Sequence, residues 1–178
     1  MKFLAISGSV RKNSYNLALL KAMKKLCPEQ DGLSIYSRLE DIPMFNPDVE
    51  EQSIPEVVED FLGQIRNSDG VIISTPEYAH GIPGALKNAL DWAVSSDAVI
   101  LKPMVVTSVS TSGLGGVRSH APLVLVLSAM NANVVVEGSI NVPYAQKKFT
   151  ADMELADKIT EASIQVSLAA LRRAIENT

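Results

Sequence analysis

Gly8-Ser9-Val10-Arg11-Lys12-Asn13-Ser14-Tyr15-Asn16 is the stretch from which the rest of the chain can be read. The run before it, Phe3-Leu4-Ala5-Ile6, reads as a buried strand. After it, Leu17, Leu20, Met23 and Leu26 recur at the spacing of one helix face. The segment is therefore a strand, a polar loop and a helix start. Such a turn aims backbone N–H groups and the positive end of the helix dipole at one spot, where an anion is the natural occupant. Ser9, Ser14 and Asn16 add neutral donors, and Arg11 adds a planar cation suited to phosphate oxygens. An ordinary turn with Ser14 as helix cap fits the same residues, so this loop alone leaves both readings open.

Composition narrows the classes. The chain has 178 residues, 47% hydrophobic and 20% charged, which suits one domain spanning residues 1–178 with a full core. A net charge of −4 argues against general nucleic-acid binding, which relies on excess Lys and Arg. No apolar run is long enough to span a bilayer, and no basic amphipathic helix suits an anionic membrane surface. One cysteine, Cys27, allows no internal disulfide and no cysteine-rich metal site. Two histidines, His80 and His120, are too few for a zinc centre without help, so no metal is expected. With no leader-like pattern at Met1, a cytoplasmic protein is expected.

In chain order, Leu33-Ser34-Ile35-Tyr36 alternates like a short strand. Residues 37–53, with Pro43, Pro47 and many acids, read as a surface loop whose apolar Met44-Phe45 tucks back onto the domain or, as the alternative, meets a partner subunit. A helix is expected over 54–68, and the apolar run Val71-Ile72-Ile73 reads as a central parallel strand. A helix over 83–95, a strand over 102–108 and a helix reaching Met130 follow. A strand over 133–136, a loop over 138–150 and a closing helix over 152–175 complete the chain. Alternating short strands and amphipathic helices imply right-handed crossovers and a doubly wound α/β domain. The expected architecture is a flavodoxin-like five-stranded parallel sheet, order 2-1-3-4-5, with helices on both faces. The loops after strands one, three and four then meet at one edge, where such sheets bind ligands.

The second of these loops, Thr75-Pro76-Glu77-Tyr78-Ala79-His80-Gly81-Ile82-Pro83-Gly84, has its path set by two prolines and two glycines. It can present backbone groups edge-on to a flat heterocycle, with Tyr78 at the rim. In the helix beyond it, Lys87 and Asp91 stand one turn apart, and Trp92 reads as core. The third loop, residues 110–116, is rich in Ser and Gly and is followed by Arg118, which either holds a ligand carbonyl or phosphate or stands as an exposed arginine.

Two motifs together carry a resemblance. Residues 8–16 match G-S-x-R-x-x-S-x-N, and residues 76–92 match P-E-Y-x-x-G-x-P-G-x-L-K-N-A-x-D-W. The chain resembles the NAD(P)H-dependent FMN reductase family, which includes quinone, chromate and azo-dye reductases. The resemblance implies an oxidoreductase that binds FMN and uses NADPH or NADH as co-substrate. It implies that Ser9, Arg11, Ser14 and Asn16, with Tyr15 beside them, hold the FMN phosphate. Pro76, Glu77 and Tyr78 would line the isoalloxazine and ribityl chain, and Ser110, Ser112 and Gly113 the pyrimidine side. It further implies a ping-pong cycle, a small-molecule electron acceptor and a homodimer or homotetramer. No catalytic side chain is nominated, because the flavin does the redox chemistry. A non-catalytic flavodoxin-like electron carrier is the alternative. Pro122 departs from a helix-compatible residue and is expected in a first turn or at a kink. The run Leu123-Val124-Leu125-Val126-Leu127 is apolar all round and suggests a subunit interface as well as sheet contact.

Overall fold

The short apolar runs become strands because each can be covered on both faces. The computed structural model describes all residues from Met1 to Thr178. Strands β3 (Gly70–Thr75) and β4 (Pro103–Val109) are buried at every position. They sit mid-sheet beside β1 (Lys2–Ser7) and β2 (Gly32–Tyr36), and every pairing is parallel. The order is β2-β1-β3-β4-β5, the doubly wound order expected.

Side-chain alternation splits the core in two. Leu4, Ile6, Val71, Ile73, Met104 and Val106 face α3 (Glu56–Arg66), α4 (Gly84–Ala93) and α5 (Val117–Ala129). Phe3, Ala5, Ile72 and Val105 face α1 (Tyr15–Leu26) and α6 (Lys158–Glu176). Helices thus cover both faces, as right-handed crossovers require.

The far edge departs from expectation. The sheet has six strands, because the edge is split into β5 (Asn133–Val134) and β6 (Ile140–Val142), both paired with β4. Between them a 3₁₀ turn, Val136–Gly138, lifts out of the edge. A Cβ at Gly138 would lie 2.7 Å from Val105 Cγ2, so only glycine lets the turn lie this close to the sheet. His120 turns its Nε2 to the Val106 carbonyl at 3.1 Å, alongside the gap in the edge. Burial holds the His120 imidazole below its usual pKa, and as a neutral ring it donates to that carbonyl.

Other boundaries shift for local reasons. The closing helix starts at Lys158, not near residue 152, because Asp157 is its cap and accepts from the Thr160 N–H. Residues 37–53 are not all loop: they hold a 3₁₀ turn, Leu39–Asp41, and a short helix α2 (Pro47–Gln52) capped by Asn46. Pro122 lies inside α5, beyond its first turn, and its missing N–H leaves the Arg118 carbonyl without a helical donor. Within the apolar run that follows, Leu123 and Leu127 are buried and Leu125 is exposed.

Met44 and Phe45 part company. Phe45 packs edge-on against Trp92, with centroids 5.1 Å apart, while Met44 faces outward. The loop is held from α4. Trp92 Nε1 and Asn88 Nδ2 both donate to the Pro43 carbonyl, at 2.8 and 2.9 Å, and Asn88 Oδ1 accepts from the Phe45 N–H. The Asn and Trp of the second motif are therefore anchors for a distant loop.

Asn16 ties the sheet edge together. Its Oδ1 accepts from Ser74 Oγ at 2.9 Å and from the Val109 N–H at 3.2 Å, and its Nδ2 donates to the Val109 carbonyl at 3.2 Å. The first loop is thereby latched to the ends of β3 and β4. Asn16→Ala leaves these buried partners unsatisfied, at a cost of about 3 kcal/mol. For a chain of this size that is a fall of roughly 6–12 °C in Tm, read by scanning calorimetry. A shift below roughly 2 °C would show that the latch carries little.

Candidate functional site

The carboxyl ends of β1, β3 and β4 bring the three polar loops to one edge. The first is drawn tight where Gly8 N–H donates to the Ser74 carbonyl at 2.8 Å. A Cβ at Gly8 would lie 2.9 Å from Leu86 Cδ2 and 3.3 Å from Pro76 Cδ, so glycine allows the first and second loops to touch. Ser9 Oγ accepts from the Arg11 N–H at 3.3 Å, and Ser14 Oγ caps α1 by accepting from the Asn16 N–H at 3.2 Å. The N–H groups of Val10, Lys12, Asn13 and Ser14 find no acceptor within the protein. Arg11 is exposed, forms no ion pair, and lines a hollow of about 300 Å³ with Lys12, Lys21, Tyr36 and the exposed Glu40. Free N–H groups, a helix N-terminus and an unpaired guanidinium together form a cradle for a dianion.

Not every residue of this stretch faces outward. The Asn16 side chain is spent on Ser74 and Val109, so it positions the loop from within. Tyr15 packs its ring against Phe149, with centroids 5.6 Å apart.

The second loop turns back sharply. Tyr78 and Gly81 exchange backbone hydrogen bonds, and Ala79 and His80 between them take left-handed backbones with φ of 49° and 61°. This is a two-residue hairpin geometry usually filled by Asn and Gly. Tyr78 is pushed to the rim, and its hydroxyl stands 3.4 Å from Ser9 Oγ, bridging the first and second loops.

Glu77 is engaged on both oxygens. Its Oε1 lies 2.9 Å from His80 Nδ1, and its Oε2 accepts from the Arg118 N–H at the start of α5. The hydrogen bond from His80 chiefly holds the Glu77 carboxyl below the usual carboxylate range, with help from the Arg118 N–H. An Arg118 guanidinium nitrogen sits 3.0 and 3.2 Å from the two His80 ring nitrogens, which places it over the ring rather than in line with either. Arg118 thus joins the second loop to α5 instead of standing free.

The third loop owes its path to Gly115 and Gly116, both left-handed, with φ of 61° and 84°. Ser110 Oγ donates to Ser112 Oγ and accepts from the Ser112 N–H, closing a small polar turn. The Thr111, Gly113 and Leu114 N–H groups find no acceptor within the protein. Beneath it Thr75 Oγ1 and Ser119 Oγ meet at 2.7 Å, joining β3 to α5.

A fourth segment, residues 142–145, completes the edge, and sequence reasoning placed it in a plain loop. Ser110 N–H donates to the Val142 carbonyl, Ala145 N–H to the Ser110 carbonyl and Tyr144 N–H to the Ser112 carbonyl, at 3.0–3.1 Å. These bonds extend the β4–β6 pairing into the third loop. No sequence pattern marks them, since they join segments about thirty residues apart whose contact depends on the split edge.

The four segments present backbone donors, hydroxyls and two tyrosines, with no nucleophile poised beside a base. No group of three His, Cys, Asp or Glu side chains converges to hold a metal. The arrangement is one for binding and orienting a flat, anionic cofactor.

Comparison with known proteins points to one family. The family model described as NADPH-dependent FMN reductase matches residues 1–147. An NAD(P)H-dependent FMN reductase of Pseudomonas aeruginosa is 34% identical over 175 residues, covering 97% of this chain and 94% of its own. A quinone reductase of Escherichia coli is 33% identical over 138 residues, covering 76% of this chain and 73% of its own. Among solved structures, FerB, a flavoenzyme NAD(P)H:(acceptor) oxidoreductase from Paracoccus denitrificans, superposes with a TM-score of 0.88 at 27% identity. That match covers 99% of this chain and 97% of the other. The chain therefore belongs to the NADPH-dependent FMN reductase family.

Proposed function

We propose that this oxidoreductase binds FMN at the four-loop edge, takes electrons from NADPH or NADH, and passes them to a small-molecule acceptor in a ping-pong cycle. Quinones, chromate, azo compounds and free flavin are the candidate acceptors. The observation that carries the reading is the first loop: four unpartnered N–H groups beside an unpaired Arg11 and the start of α1. Those groups fit the terminal phosphate of FMN. The chemistry supplied by the flavin when bound is reversible two-electron transfer between a nicotinamide and an acceptor.

The chain's own residues then bind and orient. Ser9 and Ser14 hydroxyls supplement the phosphate cradle, and Tyr78 borders the ribityl path from the rim. Backbone N–H groups of Thr111 and Gly113, which have no acceptor within the protein, are assigned to the pyrimidine edge. Donors held there stabilise negative charge that develops on reduction, at no cost in reorganisation. Glu77 keeps its charge turned toward His80 and Arg118, which spares that edge a repelling carboxylate. A homodimer or homotetramer belongs to the same proposal, supported by the exposed Leu125 in the otherwise packed apolar run of α5. So does a cytoplasmic location, in keeping with the single free cysteine, Cys27.

FMN-loaded protein mixed anaerobically with NADPH or NADH should lose its oxidised flavin bands at once. A flavin that stays yellow with both nucleotides would instead make the chain an electron carrier. Arg11→Ala should weaken FMN binding by about 1.5–3 kcal/mol, the scale of a hydrogen bond to a charged group. That is roughly a 10- to 150-fold rise in Kd by fluorescence titration. An unchanged Kd would place Arg11 outside the phosphate cradle.

A further inference from the structure

Tyr144 is held in an unusual way. Its backbone is left-handed, with φ 53° and ψ 45°, a region that a bulky aromatic residue enters only under constraint. The constraint is supplied on both sides. Its N–H donates to the Ser112 carbonyl, the Ala145 N–H donates to the Ser110 carbonyl, and its own carbonyl accepts from the Lys147 N–H at 2.8 Å. The ring is carried onto Gly113, where a Cβ would lie 2.6 Å from the Tyr144 hydroxyl and 3.0 Å from Cζ. Glycine at 113 is what leaves the ring its place. A strained tyrosine and a glycine without a side chain thus serve one result, a phenol ring fixed on the third loop.

Burial is not that result, since the side chain remains 49% exposed. The Lys147 ammonium stands 5.5 Å from the ring centroid, within cation–π range. A flat ring held rigidly and left wet is suited to contact with something that arrives from solvent.

We propose that Tyr144 is the specificity-determining wall of the acceptor pocket, an aromatic face against which a planar acceptor such as a quinone packs. This rests on the reading of the four loops as the flavin site and adds the class of acceptor that the site favours. Small, non-planar oxidants gain nothing from the ring and are indifferent to it.

The test uses FMN-loaded protein and two variants. Tyr144→Gly removes the ring and relieves the left-handed backbone, so the fold is not put at risk. Tyr144→Phe keeps the ring. Flavin binding and anaerobic reduction by NADH are measured first; Tyr144→Phe should match the parent, and a Tyr144→Gly protein that no longer takes up or reduces flavin marks a structural role and overturns the proposal. Steady-state assays with menadione and with ferricyanide follow. In Tyr144→Gly the KM for menadione should rise about five- to tenfold, the scale of one aromatic contact, with ferricyanide kinetics unchanged. Tyr144→Phe should behave as the parent. An unchanged menadione KM in Tyr144→Gly overturns the proposal, and so does an equal loss with both oxidants, which would mark a structural role. A parent chain that takes up no flavin overturns both readings, and is told apart because it fails before any acceptor is added.

Discussion

The side-chain amide of Asn16 is the interaction on which the loop edge depends. Three parallel strands end side by side, and nothing in a parallel ladder fixes how the loops beyond them sit. One amide spans that gap, accepting from Ser74 and Val109 and donating to Val109. With the first loop latched there, Gly8 can press against Leu86 and Pro76, and Tyr78 can meet Ser9. The N–H groups of Val10, Lys12, Asn13 and Ser14 are left without a protein acceptor because the latch works through the Asn16 side chain. A cradle for an anion is thus a by-product of how the sheet edge is tied.

Charge at this edge is sorted by the same backbone. Arg11 stands without a carboxylate partner. Glu77, the acid of the second loop, is turned onto His80 and the start of α5, which also draws in Arg118. The first loop therefore offers donors and cations to a ligand, while the second loop's acid is internally satisfied. A mild overall charge of −4 gives no hint of this, since the asymmetry is local.

Much of this was legible in the sequence where local chemistry decides. The buried strands stood out as Ile and Val runs, and Ser14 stood out as a cap before a helical stripe. Order 2-1-3-4-5 followed from the alternation of elements. What escaped depends on distant pairing. Ile140-Asn141-Val142 is too short to signal a strand, and β6 exists because β4 offers an open edge once residues 136–138 lift away. The closing helix reads as starting near residue 152 because Leu155 continues its apolar spacing, although Asp157 is the cap. Asn16 read as a ligand donor because polar loop residues carry no sign of whether they point out or in. Residues 142–145 were missed at the site for the reason that hid β6.

The central claim is that four segments at one sheet edge act as a single binding site. Amide hydrogen exchange with and without FMN tests it most directly, since a ligand bound there slows local opening. Protection on FMN addition at residues 8–16, 76–81, 110–116 and 142–145, with the opposite ends of β1 and β2 unchanged, is the expected result. Protection elsewhere, or at one loop without the others, would contradict a single site.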